Sequence, residues 1–293
     1  MKKLLILSGK GGTGKTTVAS AFIDFLKAEA FADCDVDAPN LHLVTGMNVK
    51  PERWDYFGSQ KAFVNPQMCI GCGICLNNCR FDAIAPRDGV YEINEYACEG
   101  CGVCEYVCPQ SAVTMIDDIA GEQMLYKDSR VFSTAKLKMG RGNSGLLVTE
   151  VKKALVNAAP DSELAVIDGS PGIGCPVIAS VSGVHLVLIV AEPSLSGIHD
   201  MERILKTTAI LRAKAAVCIN KYDTCTEKAD DIERYCRENS VPFVGRIPFD
   251  HQASVAINAG HSLASVNCPA RDALRNVFRQ TIALLEENSH AED

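Results

Sequence analysis

The sequence has no long apolar run. Its longest apolar stretch, around Val184–Ala191, is far shorter than the ~20 residues that a membrane-spanning helix needs. The first residues, MKKLLILSGKGGTGK, hold a basic start and only a short apolar run, whereas the core of a signal peptide needs about 7–15 apolar residues. We therefore expect no membrane span and no secretory leader, and we predict a cytoplasmic protein.

The sequence also has no excess of basic residues. Its 29 lysines and arginines are outnumbered by 36 aspartates and glutamates, which gives a formal net charge of -7. Nonspecific binding of nucleic acid usually requires a basic stripe or patch, so we expect no nucleic-acid partner. The chain ends in the acidic stretch EENSHAED, which disfavours docking on an anionic membrane surface.

Cysteine, by contrast, is abundant, with 14 residues in a chain of 293. Such a number would suit a secreted disulfide scaffold, but those scaffolds are usually short and carry a signal peptide. We therefore expect reduced cysteines that serve as metal ligands or as small core residues.

Short apolar runs alternate with segments of helical periodicity over most of the chain. The predicted strands are Leu4–Leu7, Ala30–Asp35, Leu164–Asp168, His185–Ala191, Ala215–Asn220 and Phe243–Ile247. The predicted helices are Thr16–Ala28, Ile198–Arg212, Lys228–Glu238, Gln252–Ala259 and Arg271–Glu287. This alternation predicts an α/β domain, formed by residues 1–57 and 119–293, with a mostly parallel sheet covered by helices on both faces.

Residues 58–118 interrupt this pattern. Cysteine, glycine and asparagine dominate there, and two similar segments recur, Cys69–Ile84 and Cys98–Val113. An internal repeat of this kind predicts a small inserted α+β domain. The chain is expected to return to the main domain over residues 119–143, through strands and a glycine-rich loop.

Each repeat contains cysteines spaced C-x2-C-x2-C-x3-C. This spacing is typical of bacterial ferredoxins with two [4Fe-4S] clusters, in which the fourth cysteine of each run ligates the other cluster. The predicted ligands of cluster one are Cys69, Cys72, Cys75 and Cys108. The predicted ligands of cluster two are Cys98, Cys101, Cys104 and Cys79. Structural zinc is the alternative, although it uses C-x2-C pairs without a third cysteine at the same spacing.

A phosphate-binding loop is predicted directly after the first strand. Residues 9–16, GKGGTGKT, fit G-x-x-x-x-G-K-[ST] at the start of a predicted helix, where backbone N–H groups surround phosphate oxygens. Lys15 would hold the β- and γ-phosphates, and the Thr16 hydroxyl would bind Mg²⁺. A glycine-rich turn with a chance lysine is the alternative. The predicted nucleotide contacts in this loop are Gly9, Lys10, Gly11, Gly12, Thr13, Gly14, Lys15, Thr16 and Thr17.

With Lys10 as a second lysine, the string GKGGTGKTT resembles the deviant Walker A motif of the MinD/ParA family of ATPases. The resemblance implies that Lys10 reaches the partner's nucleotide across a dimer and acts as an arginine finger does; a solvated loop lysine is the alternative. Asp33 and Asp35 resemble the family's switch I carboxylates, which implies Mg²⁺ support by Asp33 and positioning of the attacking water by Asp35. Asp37 is a further candidate, and a solvated carboxylate cluster is the alternative.

Three later segments extend the resemblance. Residues 166–172, VIDGSPG, resemble Walker B running into switch II, which implies that Asp168 serves Mg²⁺. Asn220 and Lys221 stand where the family recognises the base, and Pro248 lies in a segment that resembles the loop packed against adenine. Cys175 follows switch II, as does a cluster-ligating cysteine in the related nitrogenase iron protein; a buried or redox-active thiol is the alternative.

Together, the cysteine runs and the resemblance imply an ATPase that uses ATP/ADP, Mg²⁺ and two [4Fe-4S] clusters. The leading hypothesis is ATP-gated electron transfer to a partner protein. The alternatives are an iron–sulfur carrier or assembly ATPase similar to the Mrp type, and a MinD-like positioning or regulatory ATPase. The expected partners are a second copy or a paralogue, in a nucleotide-dependent homodimer or heterodimer, and a redox or iron–sulfur acceptor protein.

Overall fold

The computed structural model describes residues 1–47 and 49–287, which form two compact units. The first unit contains residues 1–53, 124–135 and those from 145 onward, and the second contains residues 54–123 and 136–144. Most of the acidic C-terminal stretch, residues 288–293, lies outside the described residues.

Strands and helices alternate along much of the described chain. The strands are β1 (Lys2–Leu7), β2 (Ala30–Asp33), β3 (Glu52–Phe57), β4 (Lys61–Val64), β5 (Ile84–Arg87), β6 (Val90–Ile93), β7 (Val113–Ile116), β8 (Ile119–Lys127), β9 (Val131–Leu137), β10 (Leu164–Asp168), β11 (Leu186–Ala191), β12 (Lys214–Asn220) and β13 (Phe243–Ile247). The helices are α1 (Lys15–Leu26), α2 (Ile74–Asn78), α3 (Val103–Tyr106), α4 (Ser144–Ala158), α5 (Cys175–Val181), α6 (Leu195–Ile210), α7 (Thr226–Glu238), α8 (His251–Asn258) and α9 (Pro269–Glu287).

The main sheet has the strand order β13-β12-β11-β1-β10-β2-β9-β8-β3. The pairs from β13 to β9 are all parallel, so the predicted α/β class with a mainly parallel sheet is confirmed. In the register of the sheet, Ile6 lies opposite Asp168, and Asp168 lies opposite Asp33. The carboxyl ends of β1, β10 and β2 therefore meet at one edge, where parallel α/β sheets bind their ligands.

The core of the first unit is formed by strands that are buried on both faces. Leu4–Leu7 is fully buried, as expected for a continuous apolar run in the centre of a parallel sheet. Phe31 and Phe132 stack with ring centroids 5.0 Å apart, and Phe22 packs edge-on against Phe278 at 5.2 Å. Each such side chain contributes about 1.5–3 kcal/mol when it is fully buried, so this core holds the strand ends of the unit in place.

The second unit is small and built as a structural repeat. Strand β4 pairs with β7, and β5 pairs with β6, both antiparallel. The short helices α2 and α3 each begin after a glycine with positive φ, Gly73 at 78° and Gly102 at 75°. One buried cluster of this unit consists of five residues, Ala62, Val64, Ala83, Cys98 and Val113.

The secondary structure departs from the sequence prediction at two helices that the prediction lacks. Helix α4 directly follows the glycine-rich loop, and its core-facing residues Leu147, Val148, Val151 and Leu155 have helical spacing. Helix α5 is only seven residues long, with proline in its first turn, so it offers too few turns for a periodic signal. Within the described part of the chain, no helix combines the length and the apolar character needed to cross a bilayer.

Candidate functional site

A cleft of about 790 Å³ lies at the carboxyl edge of the sheet in the first unit. Its walls come from the segments that follow β1, β2, β10, β12 and β13. Of the nine residues predicted from 9 to 17, all but Gly9 and Thr13 line the cleft. Thr13 is buried, and Gly9 packs so closely that an added Cβ would lie 2.1 Å from Cβ of Asp200.

The loop between β1 and α1 needs glycine for its shape. Gly12 and Gly14 have φ values of +80° and +91°, which L side chains rarely adopt. A Cβ at Gly14 would also lie 2.3 Å from Nδ2 of Asn220, so no side chain fits there without a rearrangement. Helix α1 begins at the next residue, and its first backbone N–H groups have no partner within the helix.

A buried carboxylate joins this loop to the neighbouring strand. Asp168, at the end of β10, is fully buried and lies 2.6 Å from Nζ of Lys15, and its second oxygen accepts a hydrogen bond from Thr16 Oγ1 at 2.7 Å. Burial lowers the pKa of Lys15, but the charge and hydrogen bond of Asp168 outweigh it and raise the pKa overall. Lys15 therefore remains a fixed positive charge, and Asp168 holds both side chains in place.

The two switch I carboxylates occupy different environments. Asp33 is fully buried, and its carboxylate accepts hydrogen bonds from the backbone N–H groups of Asp35, Asn40 and Leu41, each at 2.9 Å. Burial, together with the charge of Asp168, raises its pKa to about 7. Asp33 does not line the cleft. It shapes the loop that carries Asp35, whose Oδ2 lies 3.9 Å from Nζ of Lys15 and whose pKa is raised by burial.

The pair predicted to recognise the base, Asn220 and Lys221, contacts the phosphate loop. Asn220 Nδ2 donates to the carbonyl of Thr13 at 2.6 Å, and Asn220 Oδ1 accepts from the backbone N–H of Lys221 at 3.0 Å. Nζ of Lys221 donates to the carbonyl of Gly12 at 3.0 Å. Both ends of the Asn220 amide are therefore used within the chain, and a base contact by this residue stays a prediction.

An apolar wall closes the other side of the cleft. It includes Pro248 and Phe249, and Phe249 is 51% exposed. The backbone N–H of Phe249 donates to Oδ1 of Asp223 at 2.7 Å, which ties this segment to the one after β12. Phe249 lies in the segment predicted to pack against adenine, where only Pro248 was singled out as a contact. An exposed aromatic next to proline at a strand end is a usable signal for a stacking surface.

Lys10 pairs with a residue that no sequence motif singled out. Its Nζ lies 2.5 Å from Oε2 of Glu192, with the two side chains 39% and 26% exposed. Glu192 directly follows β11, and β11 pairs with β1, which precedes Lys10. Strand adjacency explains this contact, and strand order cannot be read from composition or periodicity.

In the second unit, the eight predicted cluster ligands line two separate cavities. One cavity is lined by Cys69, Cys72, Cys75 and Cys108, and the other by Cys79, Cys98, Cys101 and Cys104. Among residues 1–47 and 49–287, no three His, Cys, Asp or Glu side chains are grouped so as to hold one metal ion. A [4Fe-4S] cluster makes a different demand, because each of its four cysteines binds a different iron and the thiolates surround the cluster.

The cysteines outside these cavities differ in accessibility. Burial raises the pKa of Cys34 and of Cys218 to about 12, and that of Cys236 to about 11. Cys175 is exposed and is the first residue of α5. Its carbonyl oxygen would lie 3.1 Å from a Cβ added to Gly145, so the first turns of α4 and α5 touch.

Comparison with known proteins agrees with this architecture. The chain is 34% identical over 224 residues to the uncharacterized protein MJ0578 of Methanocaldococcus jannaschii, covering 75% of this chain and 78% of that protein. The Aquifex aeolicus cell division protein MinD superposes with a TM-score of 0.56 at 16% identity, covering 97% and 98% of the two chains. An ATP complex of Cyanothece McdA gives 0.56 at 17% identity, covering 97% and 96%.

The similarity to these two structures shows the fold alone. The family is assigned from a match to a family model. The model of the CobQ/CobB/MinD/ParA nucleotide binding domain matches residues 4–263, which include the phosphate loop, Asp33, Asp168 and Asn220. The predicted membership of the MinD/ParA group is thereby confirmed, and the chain belongs to the CobQ/CobB/MinD/ParA family of nucleotide-binding proteins.

Proposed function

We propose that this protein is a MinD/ParA-type ATPase that acts as a nucleotide-dependent switch on a partner protein. The observation that carries the proposal is the buried Lys15–Asp168–Thr16 arrangement beside the cleft, in a chain of this family. Lys15 supplies a fixed positive charge for the β- and γ-phosphates. Thr16 and Asp168 supply the oxygens that would hold Mg²⁺, which neutralises phosphate charge when it is bound.

Within this proposal, Asp35 positions the attacking water. It is the switch I carboxylate that lines the cleft, and it lies beside the Lys15 ammonium group. Asp33 supports it indirectly, because its three backbone hydrogen bonds set the path of residues 35–41. Lys10 acts on the nucleotide of a dimer partner, and this requires it to leave Glu192.

The comparisons support a regulatory ATPase more than the electron-transfer hypothesis. The similar structures include MinD, a cell division protein, and McdA in complex with ATP. We therefore place partner regulation first, with a nucleotide-dependent dimer as the active species. The partner is engaged in one nucleotide state and released in the other, because only differential contact can shift such an equilibrium.

The role of Asp35 can be tested with a neighbour as the matched control. We expect Asp35→Asn to keep ATP affinity within about threefold and to lower turnover by about 100-fold or more, on the order expected when a water-positioning group is lost. Asp37→Asn is the control, because Asp37 is exposed and outside the cleft. Equal turnover in Asp35→Asn and the wild type, or an equal loss in both variants, would contradict this assignment.

A second candidate function is ATP-gated electron transfer through iron–sulfur clusters. It is favoured by one observation, which is that each predicted set of four cysteines lines its own cavity. The donor set fits a [4Fe-4S] cluster, which takes four cysteine thiolates. Sγ of Cys108 also accepts the backbone N–H of Ala112 at 3.3 Å, a contact that stabilises a thiolate. Bound clusters would supply one-electron chemistry, and the ATPase would then gate electron transfer to an acceptor.

The two candidates differ in what ATP does to the iron. Protein purified without oxygen is assayed for iron and acid-labile sulfide, then titrated for reduction potential with and without ATP. Two clusters whose potential shifts with ATP support gated electron transfer, whereas two clusters with an unchanged potential support the regulatory switch. Transfer of iron and sulfide to an apo-acceptor supports a carrier role, and absence of iron after reconstitution rejects the cluster assignment.

A further inference from the structure

We infer that Lys152 is a positioning residue that fixes α4 to α5, so that changes in residues 168–172 at the nucleotide site reach residues 136–144 of the cysteine-bearing unit. The inference rests on the proposed function, since it takes ATP as the ligand that changes residues 168–172. It does not require bound iron.

Lys152 lies in the middle of α4 and is almost buried, and its ammonium group has three hydrogen-bond acceptors. Nζ donates to the carbonyls of Ala179 at 2.8 Å, Ser180 at 2.7 Å and Ser182 at 2.6 Å. An ammonium group has three N–H donors, and these three carbonyls lie at the C-terminal end of α5, where a helix attracts positive charge. A buried amine is costly unless it is paired, so this contact strongly fixes the distance between the two helices.

The opposite end of α5 also touches α4. A Cβ added to Gly145, in the first turn of α4, would lie 3.1 Å from the carbonyl oxygen of Cys175 and 3.3 Å from its Cβ. The first residue of α5 therefore packs directly on the α4 backbone. With contacts at both ends of α5, the two helices are expected to move together.

Helix α5 begins just after a segment that is bonded to the nucleotide site. The Gly169 N–H donates to the carbonyl of Ile6 at 2.9 Å, and the Gly172 N–H donates to the carbonyl of Ser8 at 3.1 Å. The hydroxyl of Ser170 donates to the carbonyl of Cys34. Residues 168–172 thus contact the ends of both β1 and β2, and Pro171 lines the cleft.

On its other side, α4 continues directly into a segment that is held within the cysteine-bearing unit. Arg141 pairs with Glu95 at 2.5 Å and with Asp118 at 3.0 Å, and its guanidinium lies 5.1 Å from the ring centroid of Tyr96. Nδ2 of Asn143 donates to Oγ of Ser59 at 2.5 Å. The peptide bond between residues 144 and 145 therefore joins a segment fixed in one unit to a helix fixed on α5 in the other.

Hydrogen exchange of the full chain, measured with and without Mg-ATP, tests this coupling. If Lys152 had a purely structural role, its substitution would not change the response of residues 136–144 to ATP. In the wild type we expect ATP to slow exchange in residues 168–181 and also in 136–144, on the order of tenfold for a typical coupling energy. In Lys152→Met, slowing should persist at 168–172 and be lost at 136–144, with ATP affinity unchanged. Lys153→Met is the matched control, because Lys153 is exposed and pairs with Glu150 on the same helix.

The outcomes separate this inference from the proposed function. A wild type that binds no ATP overturns the proposed function, whereas ATP binding without slowing at 136–144 overturns only the coupling. Retained slowing in Lys152→Met, or an equal loss in Lys153→Met, also overturns it, and Lys152→Arg should restore part of the response. If Lys152→Met does not fold, Arg141→Gln gives the same test. In this variant ATP should still slow exchange at residues 175–181 but no longer at residues 136–144. Retained slowing at residues 136–144 overturns the coupling.

Discussion

The two units of this protein are stabilised by different means. The first has strands that are buried on both faces and packed aromatic rings, whereas the buried cluster of the second contains only five small residues. Of the nineteen exposed large apolar side chains in the described residues, twelve belong to the second unit, which is much the smaller. A unit of fewer than about 70–80 residues usually needs disulfides or metals to fold, and the second unit is close to that size. Under the cluster hypothesis we therefore expect the cysteine-bearing unit to depend on bound metal, whereas the nucleotide unit depends on apolar burial.

Removal of iron is the strongest test of this comparison, and it carries the largest expected effect. When oxygen-free protein is treated with an iron chelator, we expect residues 54–123 to lose protection from hydrogen exchange while β1, β10 and β11 keep theirs. Untreated protein kept for the same time is the control. Protection that survives complete loss of iron would show that the second unit folds without metal, and the contrast between the units would then be wrong.

The substitution Lys15→Ala should act on the first unit alone. It removes the phosphate-binding lysine and leaves Asp168 buried and unpaired, which costs about 3–5 kcal/mol of unfolding free energy. We expect ATP binding to be lost and the iron content to stay unchanged, measured by nucleotide titration, urea unfolding and metal analysis. Lys153→Ala is the control. Loss of iron in Lys15→Ala would mean that the units do not fold independently.

The pH dependence of stability should differ between the units because of Asp33. Its pKa is raised to about 7 in the folded chain, above the ordinary value near 4, so the folded state binds more protons between these values. The stabilising effect is therefore present below about pH 4 and is lost as the pH rises to about 7, at up to about 1.4 kcal/mol per pH unit. Urea unfolding of the first unit from pH 4 to pH 7 measures this slope.

Asp33→Asn gives the reference for that slope. The wild type should lose stability relative to the variant over this pH range, although the variant is less stable overall because it accepts fewer backbone hydrogen bonds. A wild type that gains stability relative to Asp33→Asn as the pH rises would contradict the raised pKa.

The smallest expected effect concerns the ion pair between Lys10 and Glu192. A part-exposed pair contributes about 0–1 kcal/mol, so Glu192→Gln should free Lys10 and raise ATP turnover by at most about fivefold. The measurement is steady-state ATPase activity across a protein concentration series, since Lys10 is proposed to act in a dimer. Glu238→Gln, an exposed carboxylate on α7, is the control. A lower turnover in Glu192→Gln would show that the ion pair with Glu192 supports the activity of Lys10 and does not restrain it.

Much of the fold follows from local sequence patterns. The edge strand Phe243–Ile247 and the central strand Leu164–Asp168 have the predicted bounds. Leu164–Asp168 could be predicted because a buried central strand has a continuous apolar sequence with polar ends. The carboxylate of Asp168 could be predicted as a site residue because a charge at the end of such a strand needs a partner. Helix α5 could not be predicted in this way, since seven residues with an early proline give no periodicity.

Contacts between distant parts of the chain could not be predicted in the same way. The Asn220 amide lies on the phosphate loop because β12 and that loop end at the same edge of the sheet. The partners Glu192 of Lys10 and Glu95 of Arg141 depend on strand order and on loop packing. Such pairs depend on tertiary structure, and they cannot be predicted from the spacing of residue types along the chain.

The burial of Cys34 determines how the chain responds to thiol reagents. Its pKa of about 12 keeps it protonated, and it has no access to solvent, although it stands between the two switch I aspartates. Alkylating agents and mild oxidants should therefore spare Cys34 and react first with exposed thiols, which are Cys72 and Cys101 in the cysteine-bearing unit and Cys175 in the nucleotide unit. Because Cys34 is protected from these reagents, we expect phosphate binding to continue after the exposed thiols have reacted, and the switch I segment to keep its buried thiol unmodified.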